Sequence, residues 1–305
     1  MTDLSSRSSG ITRRNFTRLA ASAAVLGAPV LHAQTSNRIL LGQSAAFTGA
    51  AAQLGIQFHA GAKLFFDQLN AQGGVNQSRI EIMQLDDGYE PDRCAANTTK
   101  LINEDVFALF GYIGTPTSVV ALPLATTAQV PFVAPFTGAM GLRQPFNRMA
   151  FHLRASYNDE TALIVRNLTN LGINRVAVFY QNDAYGRAGL DGVTLALAER
   201  RLEPVAVATV ERNTVEVAQA VATLNAAKPQ AVVQISAYKS CAAYIRAARA
   251  AGYGGSFYNV SFVGTQALAD ELGKDGAGVV VSQVMPTPYR TTQPITREFL
   301  EAVAK

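Results

Sequence analysis

Ile80-Glu81-Ile82-Met83-Gln84-Leu85-Asp86-Asp87 alternates apolar and polar side chains as a strand does. A helix then opens on Pro91 and runs to Glu104, with proline at its first turn, where a missing N–H costs nothing. Val106 to Tyr112 follows as another apolar strand. Strand, helix, strand in this order is the unit of a parallel sheet, because parallel neighbours need a long crossover.

The same rhythm extends outward on both sides. Arg38-Ile39-Leu40-Leu41-Gly42 reads as a strand. Gly55 to Asn70 is a helix by the spacing of Phe58, Ala62, Phe65, Phe66 and Leu69, and Gly73-Gly74 stops it. Thr117 to Gln129 is a helix and Val130 to Ala134 a strand. After Phe151-His152-Leu153-Arg154-Ala155 the pattern restarts. Helices are predicted over Glu160–Leu171, Ala184–Arg201, Val215–Ala227 and Lys239–Ala251. They are interleaved with strands Val176–Tyr180, Pro204–Val210, Ala231–Ile235 and one within Ser256–Val263.

Two rounds of alternation predict an α/β protein of two Rossmann-like lobes with parallel sheets, joined by hinge strands. The expected division is 34–154 for the first lobe and 155–285 for the second. Pro286 and Pro288 mark a second crossing, and residues 286–305 return to the first lobe with a helix beginning near Pro294.

Residues 1–33 read as an export signal. Arg13 and Arg14 precede Phe16, an apolar run extends from Leu19 to Val30, and the segment ends on Ala33, after which cleavage is expected. The paired arginines resemble the twin-arginine type. The run is too short to span a bilayer, and no cysteine near the cut suggests a lipid anchor, so a free periplasmic protein is expected. The chain holds 26 basic and 22 acidic residues. Without Arg7, Arg13, Arg14, Arg18 and Asp3, 22 and 21 remain. That balance carries no electrostatic footprint for nucleic acid or anionic membrane. Cys94 and Cys241 fall in helices of different lobes. The oxidising compartment would permit a bridge, and free buried thiols are expected.

Motifs for catalysis are scarce, and no enzyme is expected. His32 lies in the signal, while His59 and His152 sit in helical and strand-like settings without a nucleophile elbow. Gly111-Tyr112-Ile113-Gly114-Thr115-Pro116 is a strand-to-helix turn without the lysine of a phosphate loop. Asp86 and Asp87 are neighbours on a strand and point to opposite faces, which favours a structural or hinge role over a shared substrate. No metal or cofactor is called for.

What remains is a set of polar groups at strand ends, where open parallel sheets bind ligands. Thr115 opens a helix, and Pro135-Phe136-Thr137 follows the next strand. Such loops suit a carboxylate, although threonine also serves as an ordinary helix cap. In the second half, Tyr185 in Asp183-Ala184-Tyr185-Gly186 and Tyr238 in Ser236-Ala237-Tyr238-Lys239 hold comparable positions. Each could grip an organic ligand or pack on its own lobe.

The signal, Leu69-Asn70-Ala71-Gln72-Gly73-Gly74-Val75, Leu85-Asp86-Asp87-Gly88-Tyr89-Glu90-Pro91 and Tyr185-Gly186 together resemble the type I periplasmic solute-binding proteins. Within that family they are most similar to the leucine/isoleucine/valine-binding receptors of ABC importers. The resemblance runs from about Arg38 to Lys305 and implies a C-terminally truncated member. It implies a monomer that closes on a small amino acid, carboxylate or amide and docks on an inner-membrane ABC permease. It also implies ligand contacts at Thr115, Pro135, Phe136, Thr137, Tyr185, Tyr238 and Ser261. A disulfide found in some members is missing, its positions falling on Tyr89 and Gly114. Amino-acid-binding members carry an acidic residue at the position aligned with Ser261. A buried ammonium without a charged partner is costly, so the ligand is expected to lack an amino group unless Asp183 substitutes. A sensory amide- or organic-acid-binding domain of the same fold is the alternative function.

Overall fold

The computed structural model describes residues 38–304. The signal assignment over 1–33 lies outside the described residues. The first sheet takes its strands in the order β2-β1-β3-β4-β5, from β1 (Arg38–Ala45), β2 (Arg79–Asp86), β3 (Ala108–Phe110), β4 (Phe132–Val133) and β5 (Ala150–Phe151). The second runs β10-β9-β8-β6-β7, from β6 (Val176–Gln181), β7 (Ala206–Val210), β8 (Ala231–Ile235), β9 (Ser256–Asn259) and β10 (Val279–Val281). Every pairing is parallel. The molecule therefore has two five-stranded α/β lobes.

Burial explains the strand sequences. β8 is buried at all five positions and β6 at all but Tyr180, so their runs are apolar rather than alternating, as strands covered on both faces require. Edge strand β2 keeps the alternation of its sequence, with Arg79, Glu81 and Gln84 exposed.

Helices α1 (Ala52–Ala71), α2 (Pro91–Asn103) and α3 (Thr115–Ala128) follow the first three strands. Then come α4 (Tyr157–Asn170), α5 (Ala184–Ala198), α6 (Ala218–Ala226) and α7 (Tyr238–Ala250). α4 begins with a capping box, in which Ser156 and Asp159 satisfy each other's backbone N–H. α8 (Thr265–Leu272) and strand β10 were not evident from the sequence, because short elements give too few periods to read. The last helix, α9 (Pro294–Val303), lies against α1. Cys94 and Cys241 are free and buried, and burial pushes both thiols up, away from reactivity.

Candidate functional site

Parallel sheets put all their carboxyl-terminal strand ends on one edge, and here the two edges face each other. The first lobe brings Tyr89, Thr115 and Phe136-Thr137. The second brings Gln181–Tyr185, Ser261 and Phe262. Arg154 enters from the segment after β5. Of these side chains, Tyr89, Thr115, Thr137, Arg154, Gln181, Asp183, Tyr185, Ser261 and Phe262 are buried.

In the first lobe, Gly114 takes a φ of +97° to turn the chain from β3 into α3. The Tyr89 ring packs against this glycine, where an added Cβ would come within 2.2 Å of it. That pair occupies the two positions at which the resemblance placed a disulfide. Thr115 then meets Thr137 from the neighbouring loop, their hydroxyls 2.6 Å apart. Thr137 also accepts from the Ala139 N–H at 3.2 Å, and its own N–H donates to the Pro135 carbonyl at 2.9 Å. Pro135 thus shapes the loop through its main chain, while Phe136 projects toward the second lobe, its ring 5.5 Å from that of Phe262.

In the second lobe, Asp183 caps α5 by accepting from the N–H groups of Tyr185 (2.9 Å) and Gly186 (3.3 Å). Burial pushes its carboxyl up, while these donors and Gln181 pull against that shift. The cap places Tyr185 in the centre, its ring 4.4 Å from Phe262 and 5.4 Å from Tyr157. The Tyr185 hydroxyl is buried without a hydrogen-bond partner. Tyr238 stands apart from this cluster, near the Gln53 main chain of the first lobe.

Ser261 is occupied from two sides. Its N–H donates to Glu160 Oε2 at 2.8 Å, and its hydroxyl accepts from Arg154 Nη2. Arg154 also donates to Glu160 Oε1 at 3.2 Å, and both side chains are 3% exposed. Its guanidinium sits 4.6 Å above the Phe136 ring, where a cation is favoured. The sequence reading treated Arg154 only as part of a boundary. The available signal was the alternation Phe151-His152-Leu153-Arg154. It does not say which face turns inward, and here the apolar residues are exposed while Arg154 is buried.

The lobes touch through a polar rim. Tyr89 accepts from Gln181 Nε2 at 3.3 Å, and Glu90 accepts from Arg212 and Asn213, each at 2.7 Å. This is a closed arrangement. Asp86 and Asp87 serve the turn leading into it and face different ways. Asp86 accepts from Phe47, Thr48 and Gly88 and pairs with Arg93 at 2.9 Å. Burial works against its ionisation, but those donors bring its carboxyl down to about 2. Asp87 is buried, which pushes it up to about 6 although Ser44 and the Tyr89 N–H donate to it.

His59 bonds Gln43 and His152 bonds the Leu142 carbonyl, so both imidazoles have structural partners. Among the described residues no group of His, Cys, Asp or Glu could hold a metal ion, and no helix is long and apolar enough to cross a membrane.

Two facing parallel sheets with a polar and aromatic cleft between their strand ends define a two-lobed solute receptor. The chain belongs to the periplasmic binding protein family, whose model matches residues 39–305, and to its type I, leucine/isoleucine/valine-binding branch. A possible leucine/isoleucine/valine-binding protein from Rhodopirellula baltica superposes with a TM-score of 0.84 at 35% identity, over 88% of this chain and 74% of that one. An amino acid binding protein of Pseudomonas aeruginosa is 23% identical over 239 residues, covering 77% of this chain and 63% of the relative's length. An ABC transporter solute-binding protein from R. palustris, solved in complex with benzoate, shares the fold. Its TM-score is 0.77 at 20% identity, over 87% of this chain and 73% of that one. Members of this family are binding proteins, not enzymes.

Proposed function

We propose that this protein is the substrate-binding component of an ABC importer. It captures a small amino acid or a related organic acid or amide between its lobes, and an inner-membrane permease receives the closed form. In this reading the lobes are residues 34–154 and 155–285, the chain recrosses at 286–305, and a signal cleaved near Ala33 delivers the protein to the periplasm. The ligand contacts are Thr115, Pro135, Phe136, Thr137, Tyr185, Tyr238 and Ser261.

The observation that carries the reading is the convergence of buried hydroxyls and aromatic rings from both lobes on one cleft. A ligand bridging the lobes makes contacts that only the closed state supplies, and so shifts the population toward it. The name of the R. palustris neighbour supports the importer assignment, and those of the R. baltica and P. aeruginosa proteins support an amino acid or a close analogue. Thermal-shift titration against amino acids, amides and organic acids tests it. Stabilisation by one class is expected, and none by any class, in a folded sample, overturns it.

A further inference from the structure

Hydrogen-bonding capacity in the cleft is lopsided. Arg154 uses Nη2 for Glu160 and Ser261, while its Nε and Nη1 are buried without partners. The Tyr185 hydroxyl is likewise buried and unpartnered. Buried N–H and O–H groups of this kind require acceptors.

The nearby carboxylates, by contrast, are spoken for. Glu160 accepts from Arg154, from the Ser261 N–H at 2.8 Å and from the Ser282 hydroxyl at 2.6 Å. It also stands in the first turn of α4, where the helix dipole steadies an anion. Glu160 thus pairs with one nitrogen of the guanidinium and leaves Nε and Nη1 without an acceptor. Asp183 accepts from Gln181, the Tyr185 and Gly186 N–H groups and Arg212, while Glu90 accepts from Arg212 and Asn213. Asp87 accepts from Ser44 and the Tyr89 N–H. A ligand ammonium entering here meets the like charge of Arg154 and no unshared carboxylate. The buried acceptors without partners, among them Gln181 Oε1, Asn213 Oδ1 and Asn259 Oδ1, are neutral amide oxygens.

Resting on the solute-binding reading above, we infer that the cleft selects a carboxylate without an α-ammonium, and that Arg154 is the residue that decides it. The rings of Phe136 and Tyr157 lie over the guanidinium, Phe262 and Tyr185 pack against those two rings, and the aromatic group suits a flat or branched apolar body on that carboxylate.

Isothermal titration of the wild-type chain with matched pairs tests this: L-phenylalanine against hydrocinnamate, and L-leucine against isocaproate, with hydrocinnamamide as the uncharged control. The des-amino acid is expected to bind about tenfold more tightly or better, the scale set by one unmet buried charged group. An amino acid that binds as tightly as its partner acid overturns the inference and leaves the solute-binding reading standing. If no compound binds, both fall. Arg154→Gln is expected to erase the preference for hydrocinnamate over its amide, and a retained preference contradicts the role of Arg154. Should Arg154→Gln not fold, Arg154→Lys keeps the charge, and its acid-to-amide ratio must fall between one and that of the wild type. A ratio equal to the wild type's assigns the preference elsewhere.

Discussion

Thr115 and Thr137, 22 residues apart in sequence, meet hydroxyl to hydroxyl at 2.6 Å because neighbouring parallel strands deliver their following loops to the same edge. Neither threonine caps its own helix through its side chain. The Thr115 hydroxyl is therefore available to a ligand at the cost of the mutual hydrogen bond, while Thr137 keeps its bond from the Ala139 N–H.

Replacing Thr115 by alanine removes one of these hydroxyls, and Tyr185→Ala removes the unpartnered phenol opposite. Each change is expected to weaken ligand binding by about 1–3 kcal/mol, the cost of one unmet buried polar group. Titration calorimetry with the best ligand checks it. Normal affinity in both variants contradicts the placement of the site.

Gly114 carries both a positive φ and the face of Tyr89. A methyl group there would meet backbone strain and a ring at 2.2 Å together. Gly114→Ala is expected to destabilise the protein by about 2–4 kcal/mol and to weaken binding by displacing Tyr89. Thermal melting and ligand titration on the same variant measure both effects.

Asp87 links stability to pH. Its folded value of about 6 lies above the ordinary value of 3.8, because burial penalises the charged form. The folded state thus holds more protons than the unfolded one between these values, and stability falls as pH rises through that window. Asp87→Asn should stabilise the protein at pH 7.5 by roughly 1–3 kcal/mol and lose that advantage near pH 4. Asp86 acts in the opposite direction: with a folded value of about 2 against an ordinary 3.8, its contribution is full above about pH 4 and is lost progressively as pH falls from there toward 2. Melting curves across this range separate the two.

Closure rests partly on Glu90, which is bonded by Arg212 and Asn213 across the cleft. The ion pair is half in solvent, so Glu90→Gln should cost no more than about 1 kcal/mol of closed-state stability. Small-angle scattering of the ligand-free variant should show a larger radius of gyration than the wild type. An identical radius contradicts a locking role for this rim.

The fold was legible because strands β1, β2, β6 and β8 and the helices between them are long enough to show their periods. Thr115 and Thr137 were legible because strand ends place them by topology alone. Arg154 was not. Its meaning depends on Ser261, 107 residues away, and on Glu160, a contact that only folding creates. Ser261 was singled out as a ligand contact, and the structure shows it already held by Arg154 and Glu160. Tyr238 reads as a counterpart of Tyr185, and the structure sets it near the Gln53 main chain of the first lobe, outside the aromatic cluster. Sequence position alone does not fix where an aromatic at a helix start will point.

A cavity of about 770 Å³ lies outside the cleft, between α1 and α9, and is lined by Leu64, Phe65, Leu69, Ile295 and Phe299. A crystal structure with a bound solute discriminates directly between the two locations. The solute is expected within hydrogen-bonding reach of Thr115 or Thr137 on one side and Tyr185 on the other. A solute seated against Phe65 and Phe299, with the cleft unchanged, would contradict capture between the lobes.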